Sequence, residues 1–184
     1  MAVKLTTGTG IGGDAKGDVI TGIERIIGSN FDDTLTGDAS SNLFTGGAGA
    51  DALDGGEGTD WASYSGSSEA VVIDLEAGTG VGGDADGDTL TSIERVIGSD
   101  NFDILSGDSA NNTFVGGDGS DTIDGGAGDD IALYWVDVAG FTYENTSTGA
   151  WTVTEISTGY FDTLINIETL QFNDGVTIDA AFVF

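Results

Sequence analysis

The side chains that could do chemistry in this chain are carboxylates and amides set nine residues apart. Asp33, Asn42, Asp51 and Asp60 form one series, and Asp103, Asn112, Asp121 and Asp130 form another. Each closes a six-residue stretch that opens on glycine. In four of the eight the stretch reads Gly-Gly-x-Gly-x-Asp: Gly46, Gly47, Gly49 and Asp51; Gly55, Gly56, Gly58 and Asp60; Gly116, Gly117, Gly119 and Asp121; Gly125, Gly126, Gly128 and Asp130. Glycine admits the positive φ of a tight turn and leaves carbonyl oxygens open to a ligand. Short carboxylates beside open carbonyls form the donor set of a hard cation, and calcium takes roughly 6 to 8 such oxygens at about 2.3–2.6 Å.

Composition removes the competing chemistries. The 184 residues include 24 Asp and 8 Glu against 4 Lys and Arg, a formal charge of −28. Lys4, Lys16, Arg25 and Arg95 are scattered, so no cationic patch exists for nucleic acid. Cysteine and histidine are absent, which excludes disulfides, zinc sites of the usual kind and imidazole or thiolate catalysis. A carboxylate-pair hydrolase would need an isolated pair of acids, whereas these acids follow the repeat, so no catalytic role is expected. No run approaches the roughly 20 apolar residues of a membrane-spanning helix, and Met1 to Gly10 lacks the apolar centre of a secretory signal. Hydrophobic residues make up 39% of the chain, enough for a core once the charge is offset.

The elements that position the acids follow from the repeats. Shifted by 70 residues, Gly8–Tyr64 aligns with Gly78–Tyr134, and 33 of the 57 pairs are identical. Ala2-Val3-Lys4-Leu5 also matches Val72-Ile73-Asp74-Leu75, so the chain is expected to start inside a unit, as a piece of a longer repeat protein. Inside each unit run four nonapeptides, 28–63 and 98–133. Position one is always Gly, position six Asp or Asn, and position eight Leu, Phe, Ile or Ala. In a three-residue strand only the middle side chain points inward, so Leu35, Phe44, Leu53 and Ala62, with Leu105, Phe114, Ile123 and Ala132, are the expected core ladders.

These nonapeptides resemble the G-G-x-G-x-D-x-U-x repeats of the RTX, or haemolysin-type calcium-binding, family. The resemblance implies an all-β fold: a right-handed parallel β-roll in which six residues make a calcium-binding turn, three make a strand, and two nonapeptides complete a coil. Turns on one side then lie 18 residues apart, and several calcium ions are expected between Asp33 and Asp51, Asn42 and Asp60, Asp103 and Asp121, and Asn112 and Asp130. The first two turns of each block depart from the family pattern. Ser29 and Phe31 replace glycines, Asn42 and Asn112 are neutral, and Asp38 and Asp108 are alternative ligands there.

The connector 64–97 carries a second acidic run, with Asp84, Asp86 and Asp88 as candidate ligands of a separate calcium turn. Counting twelve residues from Asp84 reaches Arg95 rather than the closing Glu of an EF-hand, so that loop type is excluded. Val71–Leu75 and Leu90–Ile97 are rich in branched residues and are expected to add strands. Glu24-Arg25 and Glu94-Arg95 read as solvent-facing ion pairs.

After residue 133 the pattern changes, and 134–184 holds 10 of the 16 aromatic residues. A solenoid needs a cap over its last rung, and Phe141–Glu144 and Trp151–Ile156 suit that role. An aromatic sugar-binding face is the alternative. Phe161–Asp179 resembles the segment that often follows RTX repeats, and Asp179–Phe184 resembles the acidic-then-apolar end of type I secretion substrates. The resemblance thus implies a non-catalytic, calcium-binding β-roll module of a secreted bacterial protein that folds outside the cell. Its expected partners are calcium, the upstream domains of a parent protein and the type I secretion machinery. A glycan is the second candidate, for a carbohydrate-binding module. Open roll ends make a monomer or a weak dimer the expected state.

Overall fold

Each nonapeptide folds as a six-residue turn followed by a three-residue strand, because Gly-rich, Asp-closed segments cannot propagate a ladder while the x-U-x triplets can. The computed structural model describes residues 1–145 and 150–179, so Ala180 to Phe184 of the expected secretion signal lie outside the described residues. Successive nonapeptide strands alternate between two sheets. The 12-stranded sheet runs Thr9–Ile11, Ala2–Lys4, Thr34–Thr36, Ala52–Asp54, Thr89–Thr91, Thr79–Val81, Val72–Asp74, Ile104–Ser106, Thr122–Asp124, Phe161–Ile165, Trp151–Glu155 and Phe141–Asn145. The 8-stranded sheet runs Arg25–Ile27, Leu43–Thr45, Trp61–Ser63, Arg95–Ile97, Thr113–Val115, Ile131–Tyr134, Thr169–Phe172 and Thr177–Asp179. Strands from the nonapeptides pair in parallel, as a β-roll requires.

The core is the line where the two sheets face. In the first sheet Val3, Leu35, Leu53 and Leu90 stack in register, as do Ile73, Leu105, Ile123 and Leu164. In the second, Ile26, Phe44, Ala62, Val96, Phe114, Ala132 and Leu170 form one unbroken row. All are buried, and each large side chain contributes about 1.5–3 kcal/mol on leaving water.

The connector adds the expected strands but in permuted order. From Trp61–Ser63 the chain skips ahead to Val72–Asp74, returns antiparallel through Thr79–Val81, and only then fills the rung beside Ala52–Asp54 with Thr89–Thr91. Leu90–Ile97 is not one strand. Ser92 adopts φ 51°, and the chain turns from one sheet to the other in three residues where a nonapeptide takes six.

The expected Glu-Arg ion pairs do not form. Glu94 lies in the corner at 92–94, one residue before the strand Arg95–Ile97. There it turns back to accept the Asp60 N–H at 2.9 Å, while the Arg95 guanidinium lies 5.2 Å from the centre of the Trp61 ring. Among the described residues the only ion pair joins the Met1 amino group to Asp33.

Beyond residue 134 two strands of the terminal region continue the roll. Phe161–Ile165 and Thr169–Phe172 pair in parallel with the last nonapeptide coil, and the antiparallel strands Phe141–Asn145, Trp151–Glu155 and Thr177–Asp179 flank them. Tyr134 and Phe172 stack with ring centres 5.4 Å apart, and Phe141 leans on both.

Candidate metal centre

The side chains at position six fold under their turns, and all eight are buried. Those of the four complete turns each reach back 18 residues to the preceding turn on the same side. Asp51 Oδ1 accepts the Asp33 N–H at 2.8 Å, Asp60 Oδ1 the Asn42 N–H at 2.6 Å, Asp121 Oδ1 the Asp103 N–H at 2.9 Å and Asp130 Oδ1 the Asn112 N–H at 2.7 Å. The structure thus brings together the four pairs that the repeat spacing predicts.

The second carboxylate oxygens differ between turns. Oδ2 of Asp51, Asp60, Asp121 and Asp130 is buried with no hydrogen-bond partner among the described residues, and these are the Asp residues of the four Gly-Gly-x-Gly-x-Asp turns. In the opening turn of each block a serine supplies the partner. Ser29 N–H and Oγ bond Asp33 Oδ2 at 2.5 and 3.0 Å, and Ser99 N–H and Oγ bond the Asp103 carboxylate at 2.5 and 2.9 Å. Asn42 and Asn112 accept the Asp38 and Asp108 N–H groups, both at 2.9 Å. The Asp38 and Asp108 carboxylates bond back onto their own turns, to Ser40 N–H at 2.8 Å and Ala110 N–H at 2.7 Å.

The glycines are small because the neighbouring turn presses against them. Gly47, at φ 95°, sits where a Cβ would overlap the Ser29 carbonyl, and Gly49, at φ 126°, faces the Phe31 backbone. Gly56, Gly58, Gly117, Gly119, Gly126 and Gly128 face the carbonyls of Asp38, Ser40, Ser99, Asn101, Asp108 and Ala110. A Cβ on Gly46, Gly55, Gly116 or Gly125 would meet the unpaired Oδ2 of its own turn. Backbone carbonyls of one turn and the unpaired carboxylate oxygen of the next thus both lie against the glycines of the complete turns. No group of three or more Asp or Glu side chains converges among the described residues, so a cation held at these turns would draw on backbone carbonyls beside a single carboxylate. That donor set fits calcium, which accepts many neutral oxygens with few charges.

Electrostatics point the same way. Burial, reinforced by the neighbouring Asp88 and Asp33 carboxylates, pushes Asp51 up to about 6. Burial, with Asp162 and Asp103 nearby, pushes Asp121 up to about 8, and burial beside Glu168 pushes Asp130 up to about 6. A cation that replaces the lost hydration would restore the charged form.

The connector acids separate. Asp84 lies in the single 3-10 turn Gly83–Ala85, where its N–H donates to Ser67 Oγ at 3.1 Å, and Asp86 is exposed. Asp88 alone joins the ladder: its Oδ1 accepts the Asp51 N–H at 2.7 Å and its Oδ2 the Tyr64 hydroxyl at 3.0 Å.

Sequence reasoning missed the residues that close each block. Asp162 repeats Asp88, accepting the Asp121 N–H at 3.0 Å and the Tyr134 hydroxyl at 2.9 Å. Glu168 repeats Glu94, accepting the Asp130 N–H at 2.8 Å. The signal was present: Asp88–Glu94 reads DTLTSIE and Asp162–Glu168 reads DTLINIE. The 70-residue comparison stops at Tyr134 and does not reach the second copy.

A family model described as the RTX calcium-binding nonapeptide repeat matches residues 27–62 and 97–132, the two blocks that hold these turns. No curated protein matches the chain. In both blocks, with their parallel strands, stacked glycine turns and buried position-six acids, the chain carries RTX calcium-binding nonapeptide repeats.

Proposed function

We propose that this calcium-binding β-roll is a folding switch of a secreted protein: loose where calcium is scarce, ordered by calcium after type I export, and then a stabilising cap on the polypeptide it is joined to. The observation that carries this reading is the set of four buried, unpaired Oδ2 atoms on the four complete turns. Folding without a cation would bury these oxygens unsolvated, which is costly. A ligand that binds only the folded state stabilises it by about 2.7 kcal/mol at a hundred times its dissociation constant. The charge of −28 and the absence of cysteine suit a chain that stays open before export and needs no disulfide afterwards. The acids occupy turn positions, so the role is non-catalytic, and no helix among the described residues is long and apolar enough to cross a membrane.

The test is a calcium titration of the whole chain followed by far-UV circular dichroism and thermal melting. Strand signal and melting temperature rise with calcium and fall on chelation; an unchanged spectrum overturns the reading. Export is tested by deleting Asp179–Phe184, and unimpaired secretion counts against that part.

A glycan-binding role has one observation in its favour. A cleft of about 260 Å³ lies between the turns at 98–100 and 115–119 and the terminal strands, with the exposed rings of Trp135 and Tyr160 on its wall. Glycan arrays run with and without chelator distinguish this role from a structural one.

A further inference from the structure

Three segments of the chain share one pattern, Asp-x5-Glu with an Ile before the Glu: Asp18–Glu24 (DVITGIE), Asp88–Glu94 (DTLTSIE) and Asp162–Glu168 (DTLINIE). The second and third do the same work. Each lies against a coil made of two complete Gly-Gly-x-Gly-x-Asp turns and accepts that coil's unsatisfied donors. Its Asp takes one position-six N–H and a tyrosine hydroxyl, and its Glu takes the other position-six N–H. The backbones match as well. Thr89 and Arg95 donate to Asp51 and Asp60 carbonyls at 2.8 and 3.0 Å, as Thr163 and Thr169 do to Asp121 and Asp130, also at 2.8 and 3.0 Å. The intervening Ile93 and Ile167 are buried.

The first segment has the same shape and, among the described residues, no coil against it. Its frame reproduces that of the second: Ile20 N–H bonds Gly8 O at 2.9 Å where Leu90 N–H bonds Gly78 O at 3.0 Å, and Asp18 N–H bonds Ala15 O at 3.1 Å where Asp88 N–H bonds Ala85 O at the same distance. Gly22 holds φ 61° at the corner where Ser92 and Asn166 hold 51° and 49°. Yet the Asp18 and Glu24 carboxylates are exposed, Val19 is 85% exposed and Ile23 43%, against 5% for Ile93.

We propose that the face formed by Asp18, Val19, Ile23 and Glu24 is a docking surface for a further nonapeptide coil, two Gly-Gly-x-Gly-x-Asp turns followed by a tyrosine, carried by another repeat block. The chemistry of the occupant is read from the coil 46–64, which covers the equivalent face of the second unit. A second copy of this chain cannot supply such a coil without undoing itself, because its own coils 46–64 and 116–134 already lie against residues 88–94 and 162–168. The proposal rests on the β-roll being ordered by calcium.

The test duplicates residues 1–70 ahead of Met1, which preserves the 70-residue register, and follows hydrogen exchange in calcium. The amides of Val19 and Arg25 in the downstream copy correspond to the bonded amides of Thr89 and Arg95, and their exchange is expected to slow by about 100-fold relative to the 184-residue chain. Asp18→Ala with Glu24→Ala speeds that exchange again by about tenfold or more in the duplicated chain, and leaves the melting of the 184-residue chain unchanged. An added block that folds without protecting Val19 and Arg25 overturns the proposal. So does an added block that stays unfolded where the same sequence folds before residue 88. Protection that grows with concentration in the 184-residue chain, with dimers in sedimentation, reassigns the face to self-association and also overturns it. Equilibrium dialysis of the 184-residue chain separates the two readings: calcium bound there without docking in the duplicated chain defeats only the docking surface.

Discussion

Asp88 reaches back 37 residues to accept the Asp51 N–H at 2.7 Å, and its other oxygen takes the Tyr64 hydroxyl at 3.0 Å. One carboxylate therefore ends the row of turns and anchors the tyrosine that follows the block. Asp162 does both for Asp121 and Tyr134. The roll is thus closed twice, once between the units and once after them, by a residue that is not in a nonapeptide.

Asp88→Ala is expected to destabilise the calcium-bound chain by about 1–3 kcal/mol, because it strands a buried N–H and a buried hydroxyl together. Tyr64→Phe removes one bond and is expected to cost about 1 kcal/mol. The double variant should lose less than the sum, since both act on one carboxylate. Chemical denaturation in calcium measures all three, and strict additivity would remove the shared-carboxylate account.

Much of this was legible in the sequence. Position eight pointed to Leu35, Phe44 and Leu105 as core, and the period of nine to the stacked acids, because a coil repeats one local geometry and one register. The corner at residues 92–94 was not legible. Composition reads Leu90–Ile97 as one strand and gives no sign that Ser92 will take a positive φ; the trace lay in the other copy, where Gly22 stands at the same place and holds φ 61°. The role of Glu94 was hidden as well: beside Arg95 it reads as half of a surface pair, and only the fold shows the Asp60 N–H above it.

At the two corners the strain differs. Ser92→Gly is expected to stabilise by up to about 1 kcal/mol, because serine in the left-handed region carries a steric cost that glycine does not. Asn166→Gly should gain nothing, because asparagine tolerates that region and its Nδ2 donates to Asp124 Oδ1 at 2.8 Å. Thermal melting of the two variants side by side tests the difference.

Gly117→Ala should remove one calcium ion from the chain. Its φ of 106° already disfavours a side chain, and the added Cβ would overlap the Ser99 carbonyl, forcing apart the turns at 98–103 and 116–121. Gly159→Ala is the control: φ is 78°, but nothing lies within 4 Å of the added carbon. Backbone strain of about 1–3 kcal/mol is common to both. Calcium stoichiometry by equilibrium dialysis should fall only for Gly117→Ala, and an equal fall in the control would show that strain alone is responsible.

Acid should substitute in part for calcium. Burial pushes Asp51, Asp88 and Asp130 up to about 6 and Asp121 up to about 8, so in the absence of metal the folded chain holds these protons more tightly than the unfolded one. A raised carboxyl contributes stability that is fully present below its unfolded value near 4 and is lost as pH rises through the folded value. The metal-free chain is therefore expected to gain order as pH falls from about 8.5 to 4: between 8 and 6 Asp121 alone contributes, and the largest change falls between 6 and 4, where all four carboxyls hold protons in the folded chain that the unfolded chain has lost. Calcium needs the same oxygens ionised, so its apparent affinity should move the opposite way and rise across that window. Asp121→Asn supplies the check. It removes the uppermost titration, so the metal-free chain should be more ordered at pH 8 than the parent while binding one calcium fewer. Circular dichroism against pH in chelator, paired with calcium titrations at pH 6 and 8, reads both slopes, and slopes of the same sign would defeat the assignment of these oxygens to the metal.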